Sequence, residues 1–289
     1  MNSSYPKISI ITPSYNQGQY IEQTILSVIN QNYPNLEYII IDGGSTDNSI
    51  EIIQKYEKYL AYWISEKDEG MYEAIQKGFE KSTGEIMAWI NSDDVYYPHA
   101  LHTVVEIFTD FPDVQWLSAH PTCIDEQGRT VYIATERRYS KYAYLTKHRP
   151  EWIHQESTFW QRSLWERAGG CMDTSLKLAG DFELWMRFFD YEQLYVATTL
   201  IGGFRIRSSD QKTLSQYDKY IEETEKVIAK HLANLTEKAK YHVNKIKWYK
   251  QFQQFLFINK LLNIDKKLSW LFGYSPVIRF DREKQKFIL

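Results

Sequence analysis

With 289 residues, 43% of them hydrophobic and 25% charged, the chain has the size and composition of one large α/β domain with an appendage. Its two cysteines, Cys123 and Cys171, exclude a disulfide framework or a cysteine metal site and fit a reducing compartment; no basic-then-apolar leader and no spanning apolar run is seen. The net charge of −3 is uneven: residues 230–289 hold 13 Lys/Arg against 4 Asp/Glu, or +9, which leaves −12 for residues 1–229.

Residues 7–12 are a β-branched run closed by Pro13, predicting the first strand. A loop at residues 12–18 leads to a helix marked by Ile21, Ile25, Val28 and Ile29 at helical spacing. Residues 36–41 form the second strand and deliver Asp42 to its end. The turn at residues 43–47 offers Ser45 or Thr46 as cap for a helix running through Lys58. Residues 62–65 are a third strand with a loop at 66–70, and a helix spans 71–81. Gly84 then turns into Ile86-Met-Ala-Trp-Ile-Asn-Ser-Asp-Asp-Val95, a buried strand ending in two carboxylates. Four strand–helix alternations predict a parallel, doubly wound sheet with right-handed crossovers. Ligands bind outside the carboxyl ends of such strands, so Asp42, Asp68, Asp93 and Asp94 converge on one rim.

Two adjacent carboxylates repel each other and call for a cation. Hard oxygen ligands suit Mg²⁺ or Mn²⁺ shared with a diphosphate, whereas the bland alternative is a cap for the helix beginning near Pro98. Neither a glycine-rich dinucleotide turn nor a phosphate loop follows the first strand, so a bound nucleotide would rely on carboxylates and metal.

Ile8-Ser-Ile-Ile-Thr-Pro-Ser-Tyr-Asn16, Asp42-Gly-Gly-Ser-Thr-Asp47, Glu66-Lys-Asp-Glu-Gly-Met-Tyr-Glu-Ala74 and Asn91-Ser-Asp-Asp94 resemble the successive motifs of family 2 glycosyltransferases. The resemblance covers about the first 205 residues. It implies the GT-A fold, an inverting hexosyltransferase and a bacterial cell-surface polysaccharide role. It also implies that Thr12, Pro13 and Tyr15 line the nucleotide pocket, that Asp42 contacts the base, that Asp68 lies near ribose and base, that Asp93 faces the ribose, and that Asp94 holds the metal.

In the second half, residues 113–118 and 129–134 read as strands, 136–149 as an aromatic, basic loop, 152–160 as strand again and 163–168 as a short helix. Gly180 is a breaker, so Asp181 begins a helix that Phe182, Trp185, Met186 and Phe189 anchor in the core. The segment resembles the one that supplies the family's catalytic base; Asp181 is the candidate, Glu183 its rival, and a plain N-cap the alternative. His154 and Gln155 resemble a stretch bordering the sugar pocket, and Trp152 is either a sugar-stacking ring or a core residue. Within Gly203-Phe-Arg-Ile-Arg207, Arg207 stands where many members carry a metal-binding His; Arg205 or Arg207 is then a candidate to neutralise the diphosphate.

The predicted organisation is a catalytic domain at 1–210, with a nucleotide half at 1–97 and an acceptor half at 98–210, followed by a helical, basic and aromatic extension at 211–289. Residues 245–270 read either as a membrane-surface helix or as one packed on the domain, and no nucleic-acid motif accompanies the basic charge. The predicted activity is transfer from a nucleotide-diphosphate sugar, with UDP the first choice on family frequency, to a hydroxyl of a glycan or lipid-linked acceptor. It fits a cytoplasmic enzyme, peripheral at the inner face of the membrane if the tail meets lipid. A sugar-1-phosphate nucleotidyltransferase and a non-catalytic glycan-binding module are the alternatives.

Overall fold

Every residue of β1 (Ile8–Ser14) is buried, on both faces of the strand. Such a strand belongs inside a sheet covered on both sides. In the computed structural model, which describes residues 5–135, 137–146, 152–208, 216–255 and 273–289, β1 lies parallel to β2 (Leu36–Asp42) and β4 (Ile86–Trp89), with β3 (Tyr62–Ser65) beyond β2. Pro13 does not end β1 as expected. It pairs with Ile41, while the β1–β4 ladder stops at Ile11 and Trp89, so the missing N–H meets no waiting acceptor.

Helices α1 (Ile21–Ile29), α2 (Ser49–Lys55) and α4 (Ala100–Asp110) cover one face, packing Ile25, Ile53 and Val104 against Ile8, Ile10 and Ile40. Helix α3 (Met71–Lys81) covers the other with Tyr72, Ile75 and Phe79 against Ile11 and Trp89. Neither Ser45 nor Thr46 caps α2: Ser45 Oγ donates to Asp42 Oδ1 at 2.5 Å, and the Thr46 N–H goes to Asn16.

Among the described residues the large sheet has nine strands in the order β13-β12-β10-β6-β9-β4-β1-β2-β3. Here β6 is Trp116–Ser118, β9 Phe159–Gln161 and β10 Tyr195–Ala197; β9 is antiparallel to both β4 and β6. A smaller sheet joins β5 (Val95–Tyr96), β11 (Gly202–Arg205), β7 (Thr122–Ile124) and β8 (Thr130–Ile133). In the 136–149 stretch, Lys141–Tyr144 forms a short helix, α5, rather than loop; residues 136 and 147–149 lie outside the described set. Helices α6 (Arg162–Arg167) and α7 (Gly180–Tyr191) pack on the same face as α3.

The C-terminal part is not helical throughout. After α8 (Tyr217–Ala233) and α9 (Glu237–Phe255), the chain forms β12 (Val277–Asp281) and β13 (Lys286–Ile288); β12 pairs in parallel with β10. Val277, Ile278 and Phe287 are buried, so this end completes the sheet instead of hanging from it. The described part of the basic tail packs Val243 and Ile246 inward and exposes Tyr241 and Trp248; of the 245–270 stretch, residues from 256 onward lie outside the described set. No helix among the described residues is long and apolar enough to cross a membrane.

Candidate active site

Helix α7 is held at three points. Its first residue is glycine because Tyr72 lies against it: a Cβ on Gly180 would sit 2.8 Å from the ring. Just before it, the N–H groups of Leu178 and Ala179 both donate to Glu223 Oε2 of α8 at 2.9 Å. One turn in, Trp185 is stacked between Trp89 of β4 (5.5 Å, 9°) and Trp116 of β6 (5.5 Å, 26°). Residues four apart share a helix face. The pinned Trp185 ring therefore sets the direction of Asp181, which faces a cavity of about 380 Å³. Asp181 Oδ1 accepts the Phe182 N–H at 2.8 Å and lies 3.2 Å from the Tyr72 hydroxyl, which the Leu178 carbonyl shares. Burial pushes the Asp181 carboxyl up to about 6; Phe182 N–H and Tyr72 oppose the shift, and Glu223 adds to it.

Trp89 and Asn91 line the cavity at the end of β4, as do Trp152 and Tyr220, whose rings meet edge to face. His154 and Gln155 also line it. His154 Nδ1 lies 2.9 Å from Glu156 Oε1, and Glu156 is buried. The amides of Gln155 and Asn91 both donate to Asp94 Oδ2, at 3.2 and 3.3 Å. Their own carbonyl oxygens are buried without a hydrogen-bond partner among the described residues. Buried acceptors of this kind call for hydrogen-bond donors.

The acidic rim divides in two. Asp42 is fully buried, its carboxylate taking the N–H groups of Gly44 and Ser45 and the hydroxyls of Ser45 and Ser65. Asp68 is half-buried beside Gly43, and burial lifts its carboxyl above the usual range. Thr12 and Pro13 are buried in β1, Thr12 against the Tyr38 hydroxyl at 3.1 Å, while Tyr15 is exposed just beyond the strand. Asp94, expected at the metal, is only 1% exposed and enclosed by Asn91, Gln155 and the Arg205 N–H at 2.8 Å. Burial first, then Asp93 and Glu156, hold its carboxyl well above the ordinary range. Asp93 is the more open of the pair and lies 3.3 Å from Arg207.

Two other expected site residues turn out to serve the scaffold. Arg205 is fully buried and donates to the carbonyls of Asp93, Asp125 and Glu126 and to Gln23, so it is no diphosphate clamp. Glu183 is buried away from the cavity and locked to Arg187 at 2.8 Å, which removes it as a rival base. Tyr72, Asn91, Glu156 and Glu223 went unrecognised in the sequence. The first three lie inside or beside motif segments; Glu223, in a charged helix, carries no local signal.

Residues 9–166 match the profile of Glycosyl transferase family 2. An uncharacterized glycosyltransferase of Rickettsia typhi is 28% identical over 242 residues, covering 82% of this chain and 74% of its own length. Staphylococcus aureus TarS 1–349, solved with UDP-GlcNAc, superposes with a TM-score of 0.64 at 18% identity over 92% of this chain and 78% of that one. Against a longer TarS chain the share of that chain is 42%. The mannosyltransferase PcManGT of Pyrobaculum calidifontis, solved with GDP-Man and Mn²⁺, gives 0.60 at 18% identity over 81% of this chain and 66% of that one. The structural likeness is one of fold, the GT-A arrangement of a large, mainly parallel sheet flanked by helices.

Proposed function

Because this chain belongs to Glycosyl transferase family 2, we propose that it moves a sugar from a UDP-linked donor to a hydroxyl of a glycan or lipid-linked acceptor, with inversion at the anomeric carbon. The observation that carries the mechanism is Asp181: a carboxylate rigidly mounted at a helix start, facing the cavity, with its pKa raised to about 6. A base with a pKa just below neutrality is mostly ionised at pH 7 yet basic enough to take a proton. As the acceptor oxygen bonds to the anomeric carbon, Asp181 Oδ2 takes its proton, and the bond to the diphosphate oxygen breaks with its electron pair. One base and one displacement give inversion. Asn91, His154 and Gln155, which line the same cavity, offer polar side chains for sugar hydroxyls.

UDP is favoured because TarS was solved with UDP-GlcNAc. The Mn²⁺ of PcManGT favours a divalent metal. Among the described residues no group of three or more His, Cys, Asp or Glu forms a metal cage. One carboxylate with phosphate oxygens and water is nonetheless a sufficient set for Mg²⁺ or Mn²⁺, and the partly exposed Asp93 fits that role better than the enclosed Asp94. When bound, such an ion neutralises charge on the departing diphosphate. Arg207 adds a fixed positive charge beside it.

Thermal shift with UDP, GDP and dTDP, each with and without Mn²⁺, tests the donor site. Metal-dependent stabilisation by one nucleotide, lost in Asp93→Ala, is expected; at 100 times its Kd a ligand adds about 2.7 kcal/mol. Asp181→Asn tests the base: full turnover with normal donor binding would remove Asp181 from the mechanism.

A further inference from the structure

Among the described residues, the arginines around the site are committed to protein partners, with one exception. Arg205 serves carbonyls, Arg207 faces Asp93, and Arg187 holds Glu183. Arg137 is half-buried, lines the cavity, and among the described residues has no carboxylate partner. It is also the one Lys or Arg among the described residues lining that cavity.

Its position separates it from the diphosphate. Phe204 and Ile206 line the cavity, while Arg205 between them points to Asp93 and Gln23. Successive side chains of a strand face opposite ways. Cys123 of β7 pairs with Phe204 and also lines the cavity; burial pushes its thiol up, and the Arg137 charge pulls it back. Arg137 thus sits on the cavity side of β11, and the Asp93–Arg207 pair on the other. Tyr132, 50% exposed, and Trp152, 39% exposed, are the open aromatic rings of the lining and mark its mouth.

A guanidinium half-removed from water with no ion-pair partner among the described residues is costly, and its planar fork matches a carboxylate or phosphate. We propose that Arg137 binds an anionic substituent, carboxylate or phosphate, on the acceptor unit presented to Asp181, so that the enzyme selects an acidic glycan. Tyr132 and Trp152 then offer faces for the sugar ring. This rests on the glycosyltransferase reading of the cavity and adds a specificity determinant to it.

The test titrates methyl glucoside, methyl glucuronoside and glucose 6-phosphate into UDP-saturated and nucleotide-free protein, followed by ligand-observed NMR. An acidic probe binding about tenfold tighter than the neutral one supports the proposal, since a charge-assisted hydrogen bond is worth about that much. Arg137→Ala should abolish the preference and Arg137→Lys keep part of it, with UDP affinity unchanged in both. Which acidic probe wins identifies carboxylate or phosphate. Equal binding of the three probes, no acidic binding, or a preference that survives Arg137→Ala overturns it. So does a fall in UDP affinity in the variants, which would put Arg137 at the donor diphosphate. If UDP fails to bind the unaltered protein, the donor reading fails separately, and the nucleotide-free titration still decides Arg137.

Discussion

Asp181→Asn should stabilise the protein while disabling it, and only at neutral pH. The carboxyl titrates at about 6 in the folded chain against 3.8 for an unburied aspartate. A folded pKa above the unfolded one means that, between these values, the native state holds a proton the unfolded state has lost. Stability therefore falls as pH rises through that window and levels off above about pH 6. A shift of about 2 units at 1.36 kcal/mol each makes the ionised carboxylate cost about 3 kcal/mol. Asparagine keeps the shape and carries no charge. With about 2.1 cal/mol/K of unfolding entropy per residue over 289 residues, the variant should melt about 5 °C higher at pH 7.5. Near pH 4 the two should melt within about 1 °C of each other. Calorimetry from pH 4 to 8, paired with turnover, reads both effects: the wild-type rate should show an acid limb near pH 6, and the variant should lose about 10² to 10⁴-fold. A melting difference that is flat with pH, or a variant less stable at pH 7.5, refutes the buried-base argument.

Glu223 reaches the same group from α8 and raises its pKa. Glu223→Gln should move the acid limb of the rate profile to lower pH, and Glu223→Ala should also lower kcat by freeing the Leu178 and Ala179 N–H groups; an unmoved limb in the Gln variant refutes the coupling. Arg205→Met should cost about 3 kcal/mol or more, because it strands the carbonyls of Asp93, Asp125 and Glu126 beside the buried Asp94. Urea denaturation measures it, and a loss below about 1 kcal/mol would mean water replaces those bonds.

Local pattern was enough for much of the architecture. The helix expected over residues 71–81 is α3, and the break at Gly180 put Asp181 in the first turn of its helix. Runs closed by Gly, Asn and Asp placed the strand ends and hence the acidic rim. These features depend on a few neighbouring residues, so they survive without knowledge of the rest of the chain. Residues 277–288 show where that stops: a five-residue strand and a three-residue strand acquire meaning only against the edge of β10.

Direction was decided by contacts far away in sequence. Asp181 and Glu183 lie about 200° apart around one helix. Which of them meets the cavity follows from Trp185, clamped by Trp89 and Trp116 on two separate strands. Asp93 and Asp94 are neighbours of identical chemistry. The Arg205 N–H and the Gln155 amide, 111 and 61 residues downstream, enclose Asp94 and leave Asp93 beside Arg207. Residue type and local spacing establish that a carboxylate stands at a strand or helix end. Whether it becomes a buried hydrogen-bond acceptor or a reactive group is set by the donors and rings that the rest of the fold brings to it.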